Sequence, residues 1–351
     1  MSRRGRYDGI IMRQKNRRDM REAAMVGRRA LLTGGIALCV AFSAGFAVPA
    51  LAQSYPDKPV KMIVPFPAGG PIDTMARLTA ADLGTRLSQQ VIVENRPGAG
   101  STIGFKAAAS AEPDGYTLLF GSSGSLAIVD ALYPSLDVNP LKHFTTVATT
   151  SLLPHIMVVG PSVPAKTVGE LIAYARANPG KLNYGAGLGT PPHLLSTLFK
   201  TQAGLDVTYV PYKGSAPSVT DLLAGQTHFT IDGMLILIPQ VKQGKLRPLA
   251  VARPERWPDL PDVPTFVESG FPDLIVDAWT GVVAPKGTPA PIIDKLNAAI
   301  NEGLRTPETK TALSHFSALP KASSPAEFDA FLRDQLTKWA AMVKLAGAKG
   351  E

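Results

Sequence analysis

Short apolar runs alternate with amphipathic stretches along most of this chain, and that alternation limits its fold more than any other feature. The runs VKMIVPF, VIVEN, YTLLFG, HIMVVG, LNYG, VTYVPY, THFTID and LRPLAVA read as strands. Residues 71–87, 102–110, 168–177, 192–203, 216–223 and 235–242 fall between them and carry apolar side chains at helical spacing. Strands separated by helices pair in parallel and bury both faces under those helices, so the pattern predicts an α/β protein with a largely parallel sheet. After residue 284 the pattern changes to three helices, each opened by Thr-Pro or Ser-Pro. A hydroxyl cap followed by proline at the first helical position accounts for such starts. In the last of them Phe328, Phe331, Leu332, Leu336, Trp339 and Val343 form the expected packed stripe. No repeat, low-complexity tract or coiled-coil run is present.

The joins between strands and helices carry the functional signal. In VPFPAGGPIDTMAR, Gly69 and Gly70 permit a tight turn and close backbone approach. Pro71 suits the first helical position, where its missing N–H costs nothing. Asp73 stands where a carboxylate complements the helix dipole. Unpaired N–H groups at such a helix start form an anion site. From this stretch alone, a plain strand–helix connection explains the glycines equally well. Comparable turns recur, however. RPGAGSTIG follows VIVEN, GSSGS follows YTLLF, GAGLGTPPH follows LNY, YKGSAP follows VTYVP, and Asp232 and Gly233 end THFTI. Open α/β sheets bind ligands at the carboxyl ends of their strands. Several such loops at one kind of position predict a ligand cleft built from main-chain N–H groups and small hydroxyls.

The N-terminal segment has to be set aside before charge is interpreted. RRALLTGGIALCVAFSAGFAVPALA has a basic start, an apolar middle and a small-residue end. Ala50 and Ala52 fit an A-x-A cleavage pattern, so residues 1–52 read as a signal peptide cleaved after Ala52. Arg28 and Arg29 fit an ordinary secretory signal or a twin-arginine one. Met25 is an alternative start, which would make residues 1–24 an upstream misassignment. Of 36 Lys and Arg and 28 Asp and Glu, ten and three lie in residues 1–52; the remainder is 26 against 25, a net charge of +1. The basic balance is therefore a targeting feature and gives no reason to expect nucleic acid. The single cysteine, Cys39, also lies in that segment, so the expected mature chain has neither thiol nor disulfide.

Enzyme chemistry finds little support. GSSGS lacks the spacing of a nucleophile elbow. GAGSTIG departs from a dinucleotide fingerprint, and no acidic residue ends the following strand. His143, His155, His193, His228 and His315 show no metal spacing. His193 stands beside GTPP, where a local hydrogen bond holding the turn is the favoured role. A catalytic assignment needs a base paired with a nucleophile or metal, and no such pair emerges. The sequence predicts no catalytic residue, no metal and no cofactor.

Seven segments in order carry a resemblance to a known family: YPDKPVKMIVPFPAGGPIDTMAR, VIVENRPGAGSTIG, PDGYTLLFGSSG, GKLNYGAGLGTPPHL, VPYKGSAPSVTDLLAGQ, GKLRPLAV and LPDVPTFVESGFPDL. The chain resembles the substrate-binding receptors of tripartite tricarboxylate transporters, the Bug receptors, over essentially all of residues 55–351. That resemblance implies a two-lobed periplasmic binding protein fold, type II-like, with mixed sheets, helices on both faces and a ligand cleft between the lobes. It places residues 53–154 and 278–351 in one lobe and 155–277 in the other, with a hinge at the two crossings. It implies a periplasmic, monomeric receptor that delivers a dicarboxylate, tricarboxylate or aromatic carboxylate to membrane permease subunits. A receptor signalling to a sensor kinase, or an enzyme on the same fold, are the alternatives.

Carried residue by residue, the resemblance puts the first-lobe ligand loops at Pro67, Ala68, Gly69 and Gly70, and at Ser122, Ser123, Gly124 and Ser125. The second lobe contributes Gly187, Gly189, Thr190, Tyr212, Lys213, Gly214, Ser215, Ala216 and Asp232. Three residues depart from the family pattern. Ala68 replaces a usual proline. Pro191 replaces a small polar residue and removes an N–H and a hydroxyl. Gly233 replaces a frequent asparagine. Together they imply a less polar second-lobe wall. Lys213 reads either as a ligand cation or as a solvated loop lysine. Asp232 reads as a partner for an amino group or water, or as a cap for the helix after it.

Overall fold

The computed structural model describes residues 55–349. The expected signal peptide, its cleavage after Ala52, the alternative start at Met25 and Gln53 all lie outside the described residues. Eleven strands are present among those described: β1 (Val60–Val64), β2 (Val91–Asn95), β3 (Thr117–Ser122), β4 (Phe144–Leu153), β5 (His155–Val159), β6 (Asn183–Gly187), β7 (Thr208–Tyr212), β8 (Phe229–Gly233), β9 (Arg247–Val251), β10 (Ala278–Pro285) and β11 (Leu319–Pro320). They form two sheets, ordered β11-β4-β10-β3-β1-β2 and β7-β6-β8-β5-β9. The chain passes from the first sheet to the second through Pro154 alone, and returns at Ala278.

Strand–helix alternation alone predicts largely parallel pairing, and that reading needs correction; both sheets are mixed, as the family resemblance implies. β1 pairs in parallel with β2 and β3, and β6 with β7 and β8. But β10 is antiparallel to both β3 and β4, and β5 is antiparallel to β8 and β9. The antiparallel strands β4, β5, β9 and β10 are those next to the crossings; β5 and β10 enter their sheet from the other sheet, not from a helix packed on their own. Two of them, FTTVATTSLL and AWTGVVAP, were not legible as strands. β10 is buried throughout and β4 nearly so, so neither alternates apolar with polar. Their polar positions pair with one another: the Thr280 hydroxyl lies 2.7 Å from that of Thr150 and 2.6 Å from that of Ser151.

Each sheet is covered on both faces. In β1, Val60, Met62 and Val64 join a cluster with Met75, Ala76 and Leu83 of helix Pro71–Leu87 and Leu296 and Ile300 of helix Ala290–Arg305. Ile63 points the other way, into a cluster with Phe105, Phe328, Leu332 and Trp339. The period of two in a strand requires this division. In β5, Met157 and Val159 face that same second cluster, together with Leu195 and Phe199 of helix Pro191–Ala203. Ile156 and Val158 face Val219, Leu222, Met234 and Leu237. One apolar cluster thus extends from the first sheet to the second.

The C-terminal helices start much as their sequences require. Thr306 accepts a hydrogen bond from Thr309 N, and Ser324 and Glu327 form a reciprocal capping box. The first is different: helix Ala290–Arg305 is capped by Pro289 with no side-chain bond, and Thr288 Oγ1 instead donates to Pro285 O at 2.8 Å.

Candidate functional site

A cavity of about 290 Å³ opens where the carboxyl ends of β1 and β3 meet that of β6. The first sheet supplies Phe66 after β1, Ser122 at the end of β3, and Ser123, Gly124 and Ile128 from the tight helical turn that follows. Ser122 is 5% exposed and Ser123 1%. Among the described residues neither hydroxyl has a protein hydrogen-bond partner, although both line the cavity. Their neighbour Ser125 does not line it. Its hydroxyl turns inward, accepting from Ser122 N at 3.0 Å and donating to Ser122 O at 3.4 Å, and so braces the turn. The first N–H groups of a helical turn have no partner within it, so Ser123 and Gly124 lie where main-chain donors are free.

The second sheet supplies the facing wall through Leu188, Gly189, Thr190 and Pro191. Gly189 adopts φ +67°, and a Cβ there would come within 2.4 Å of Leu132 Cδ1. Glycine is therefore required where this loop meets the short helix Val129–Leu132. The His193 ring accepts from Gly189 N through Nδ1 at 3.2 Å and stacks on Tyr209 at 4.1 Å. Burial lowers its pKa from 6.5 to about 4, so it stays neutral and holds the turn.

The cavity brings together Ser122, Ser123, Gly124, Gly189 and Thr190 of the residues named from sequence. The others stand apart from its lining. Pro67, Ala68 and Gly69 are exposed beside it, between the lining residues Phe66 and Ile72. The expectation of a free donor at Gly69 is corrected, because Gly69 N donates to Asp73 Oδ2 at 2.8 Å. Asp73 also accepts from Arg77 Nε at 3.0 Å and from Asn95 Nδ2 at 2.8 Å. The chain's own carboxylate thus fills that part of the helix start, and the side-chain bonds of Arg77 and Asn95 and the Gly69 N–H hold its pKa below the usual range despite burial. Gly70 is the N-cap of the same helix.

The remaining second-sheet residues do not line the cavity. A Cβ on Gly187 would lie 3.4 Å from Gly214 Cα, which puts these two turns side by side. The Tyr212 hydroxyl donates to Asp221 Oδ2 at 2.6 Å, while Lys213 and Ala216 are exposed. Asp232 is 3% exposed at the end of β8. Its Oδ1 accepts from Gly233 N at 2.6 Å, and among the described residues no hydrogen bond of good geometry reaches its Oδ2, although the Ser215 hydroxyl lies near the carboxylate. It therefore makes no cap to the helix Met234–Lys242, whose N-cap is Gly233.

Burial raises the Asp232 pKa from 3.8 to about 6, against the opposing pull of the Ser215 hydroxyl and the Gly233 N–H. The folded protein then holds this proton more tightly than the unfolded chain. Stability falls as pH rises from 3.8 through 6, and the full cost is present above that. Asp232→Asn is accordingly expected to stabilise the protein at pH 7.5, by roughly 3 kcal/mol for a two-unit shift. At pH 3.5 it should have little effect. Denaturant titrations at the two values check this; an equal effect at both would show that the carboxylate's charge is not the cause.

Sequence reasoning missed most of the apolar lining. Ser101 and Gly100 lie in the glycine-rich loop RPGAGSTIG, and a φ of +61° beneath the Tyr133 ring explains the glycine at 100. Leu132, Tyr133, Leu153 and Ala278 carry no local signal, since they reach the cavity only through the packing of the two sheets. Among the described residues no group of three His, Cys, Asp or Glu could hold a metal, and no helix is long and apolar enough to cross a membrane.

The profile of the tripartite tricarboxylate transporter family receptors matches residues 75–348. Protein BugT of Bordetella pertussis is 39% identical over 309 residues, which cover 88% of this chain and 95% of BugT. The fold is also similar to that of R. palustris Rpa4515 with adipate, at 36% identity and a TM-score of 0.76, over 84% of this chain and 99% of that one. MatC (Rpa3494) from Rhodopseudomonas palustris with bound malate is similar at 35% identity and a TM-score of 0.72, over 82% and 100%.

Proposed function

The chain belongs to the tripartite tricarboxylate transporter receptor family, and on that premise we propose that it is a periplasmic receptor which captures a small carboxylate and delivers it to the membrane permease subunits of such a transporter. The observation that carries this reading is the pair of buried hydroxyls of Ser122 and Ser123, without a partner among the described residues, facing the cavity beside the start of a helical turn. Hydroxyl and N–H donors that converge without a protein acceptor fit an anionic oxygen brought by a ligand. Relatives of similar fold hold adipate and malate. The reading assigns the protein no catalytic step, cofactor or nucleic acid, and treats it as a monomer.

Residues 53–154 and 278–351 act in this reading as one lobe and residues 155–277 as the other. The short passages at Pro154 and Ala278 serve as the hinge. Gly187, Tyr212, Lys213, Gly214, Ser215, Ala216 and Asp232 approach the ligand when the lobes close, as do Pro67 to Gly70 from the other side. Ligand then favours the closed state because only that state contacts it from both sides. Small-angle scattering is expected to give a smaller radius of gyration at saturating ligand; an unchanged radius would contradict closure.

The transport role has its own test. A strain lacking this chain should lose high-affinity uptake of the carboxylate that the purified protein binds. Intact uptake with loss of the transcriptional response to that acid would make the chain a sensing receptor instead.

A further inference from the structure

The two walls of the cavity differ in their free hydrogen-bond donors. On the second-sheet wall they are spent or missing from Gly189 to Pro192. Gly189 N donates to His193 Nδ1 at 3.2 Å. Thr190 N donates to Gly187 O at 3.2 Å, and Thr190 Oγ1 donates to the same oxygen at 2.7 Å. A hydroxyl has one proton, so Thr190 faces the cavity only as an acceptor. The next two residues, Pro191 and Pro192, open the helix Pro191–Ala203 and have no N–H. A helix start that would ordinarily offer an anion site lacks its first two donors here.

What this wall offers instead is apolar. Leu188 is 45% exposed at the cavity although it is a leucine, and Pro191 stands beside it. Leu132 and the ring of Tyr133 extend the apolar surface from the other side, with the Tyr133 hydroxyl lying over Gly100. Among the described residues no Asp, Glu, Lys, Arg or His lines the cavity. On the first-sheet wall, by contrast, Ser122 and Ser123 keep both hydroxyl protons, each side chain being more than nine-tenths buried.

We propose that this receptor selects a monocarboxylate with an apolar body, aliphatic or aromatic, over the dicarboxylates and tricarboxylates. The inference rests on the carboxylate-receptor reading and narrows it. The single carboxylate sits on Ser122, Ser123 and the start of the turn at Gly124. The body lies against Leu188, Pro191, Leu132 and Tyr133. A second carboxylate at the far end would lose its water and meet no cation and, among the described lining residues, no side-chain donor beyond the Tyr133 hydroxyl, and a buried charge so poorly compensated is strongly disfavoured. Each methylene moved from water to this surface should tighten binding about fourfold until the space is filled.

Calorimetric titration of the purified protein with butanoate, hexanoate, octanoate, benzoate, adipate, citrate and hexanamide tests the proposal. Hexanoate is expected to bind at least tenfold more tightly than adipate, and the affinity should rise from butanoate to hexanoate. The double variant Pro191→Ser, Pro192→Ser restores two N–H groups and should narrow the gap between hexanoate and adipate. Adipate or citrate binding as tightly as hexanoate overturns the inference and leaves the carboxylate-receptor reading standing. Hexanamide binding as tightly as hexanoate, or no binding by any acid of the set, overturns both.

Discussion

Trp279→Ala is expected to cost about 3–5 kcal/mol of stability, the usual loss for emptying a fully buried tryptophan site. Trp279 stands in β10 with no exposure. Its ring meets Phe328 edge-on at 5.7 Å and Phe331 at 5.4 Å. Its Nε1 donates to Gln335 Oε1 at 3.0 Å, and Trp339 Nε1 donates to the same oxygen at 3.0 Å. A carbonyl oxygen has two lone pairs, so one glutamine satisfies both indoles. This group fixes helix Pro325–Ala346 to the first sheet, and the same helix packs against helix Pro191–Ala203 of the second. The variant should therefore lower the midpoint of denaturant unfolding with the slope unchanged. A loss below about 1 kcal/mol, far under the range for such a cavity, would mean that the helix is not held to the sheet through this residue.

The second large effect is on binding. Replacing both Ser122 and Ser123 by alanine removes the two hydroxyl donors that face the cavity. A hydrogen bond to a charged group contributes about 1.5–3 kcal/mol, so each loss should weaken carboxylate binding by roughly 10- to 150-fold. Stability should hardly change, since among the described residues neither hydroxyl serves a protein group. Ser125→Ala should behave differently. Its hydroxyl braces the turn through Ser122 N and Ser122 O. It should lower stability by about 1 kcal/mol, the net contribution of a neutral hydrogen bond, and disturb binding only through the shape of the turn. Unimpaired binding by the double serine variant would remove these hydroxyls from the site.

Much of this architecture was legible because local signals agreed with the fold. Helix Pro71–Leu87 and helix Val168–Ala177 have the bounds that periodicity and caps predict. Strand β2 coincides with VIVEN. The strands that sequence reading passed over, β4 and β10, lie beside each other inside the first sheet, and burial of both faces removes the alternation that marks a strand. Periodicity alone could not give the pairing direction, which β10 makes mixed in the first sheet and β5 in the second; the mixed sheets came from the family resemblance.

The site divides along similar lines. Ser122 to Gly124 and Gly189 to Thr190 follow strands within glycine-rich turns, a pattern visible in one dimension. Leu132, Tyr133 and Leu188 line the cavity as apolar side chains, a role that depends on which elements meet in space. Asp73 shows the opposite limit. A carboxylate near a helix start complements the dipole in any such helix, but only the structure reveals that it takes the Gly69 N–H that a ligand would otherwise use.

The central claim is that the cavity receives a carboxylate through Ser122, Ser123 and the turn they open. Its most direct measurement is calorimetric titration of the purified protein with a carboxylic acid it binds and with the primary amide of that acid. The account predicts one-to-one binding of the acid and at least tenfold weaker binding of the amide, because donors facing a neutral carbonyl make weaker bonds than donors facing an anionic oxygen. Equal affinity for the acid and its amide would contradict it.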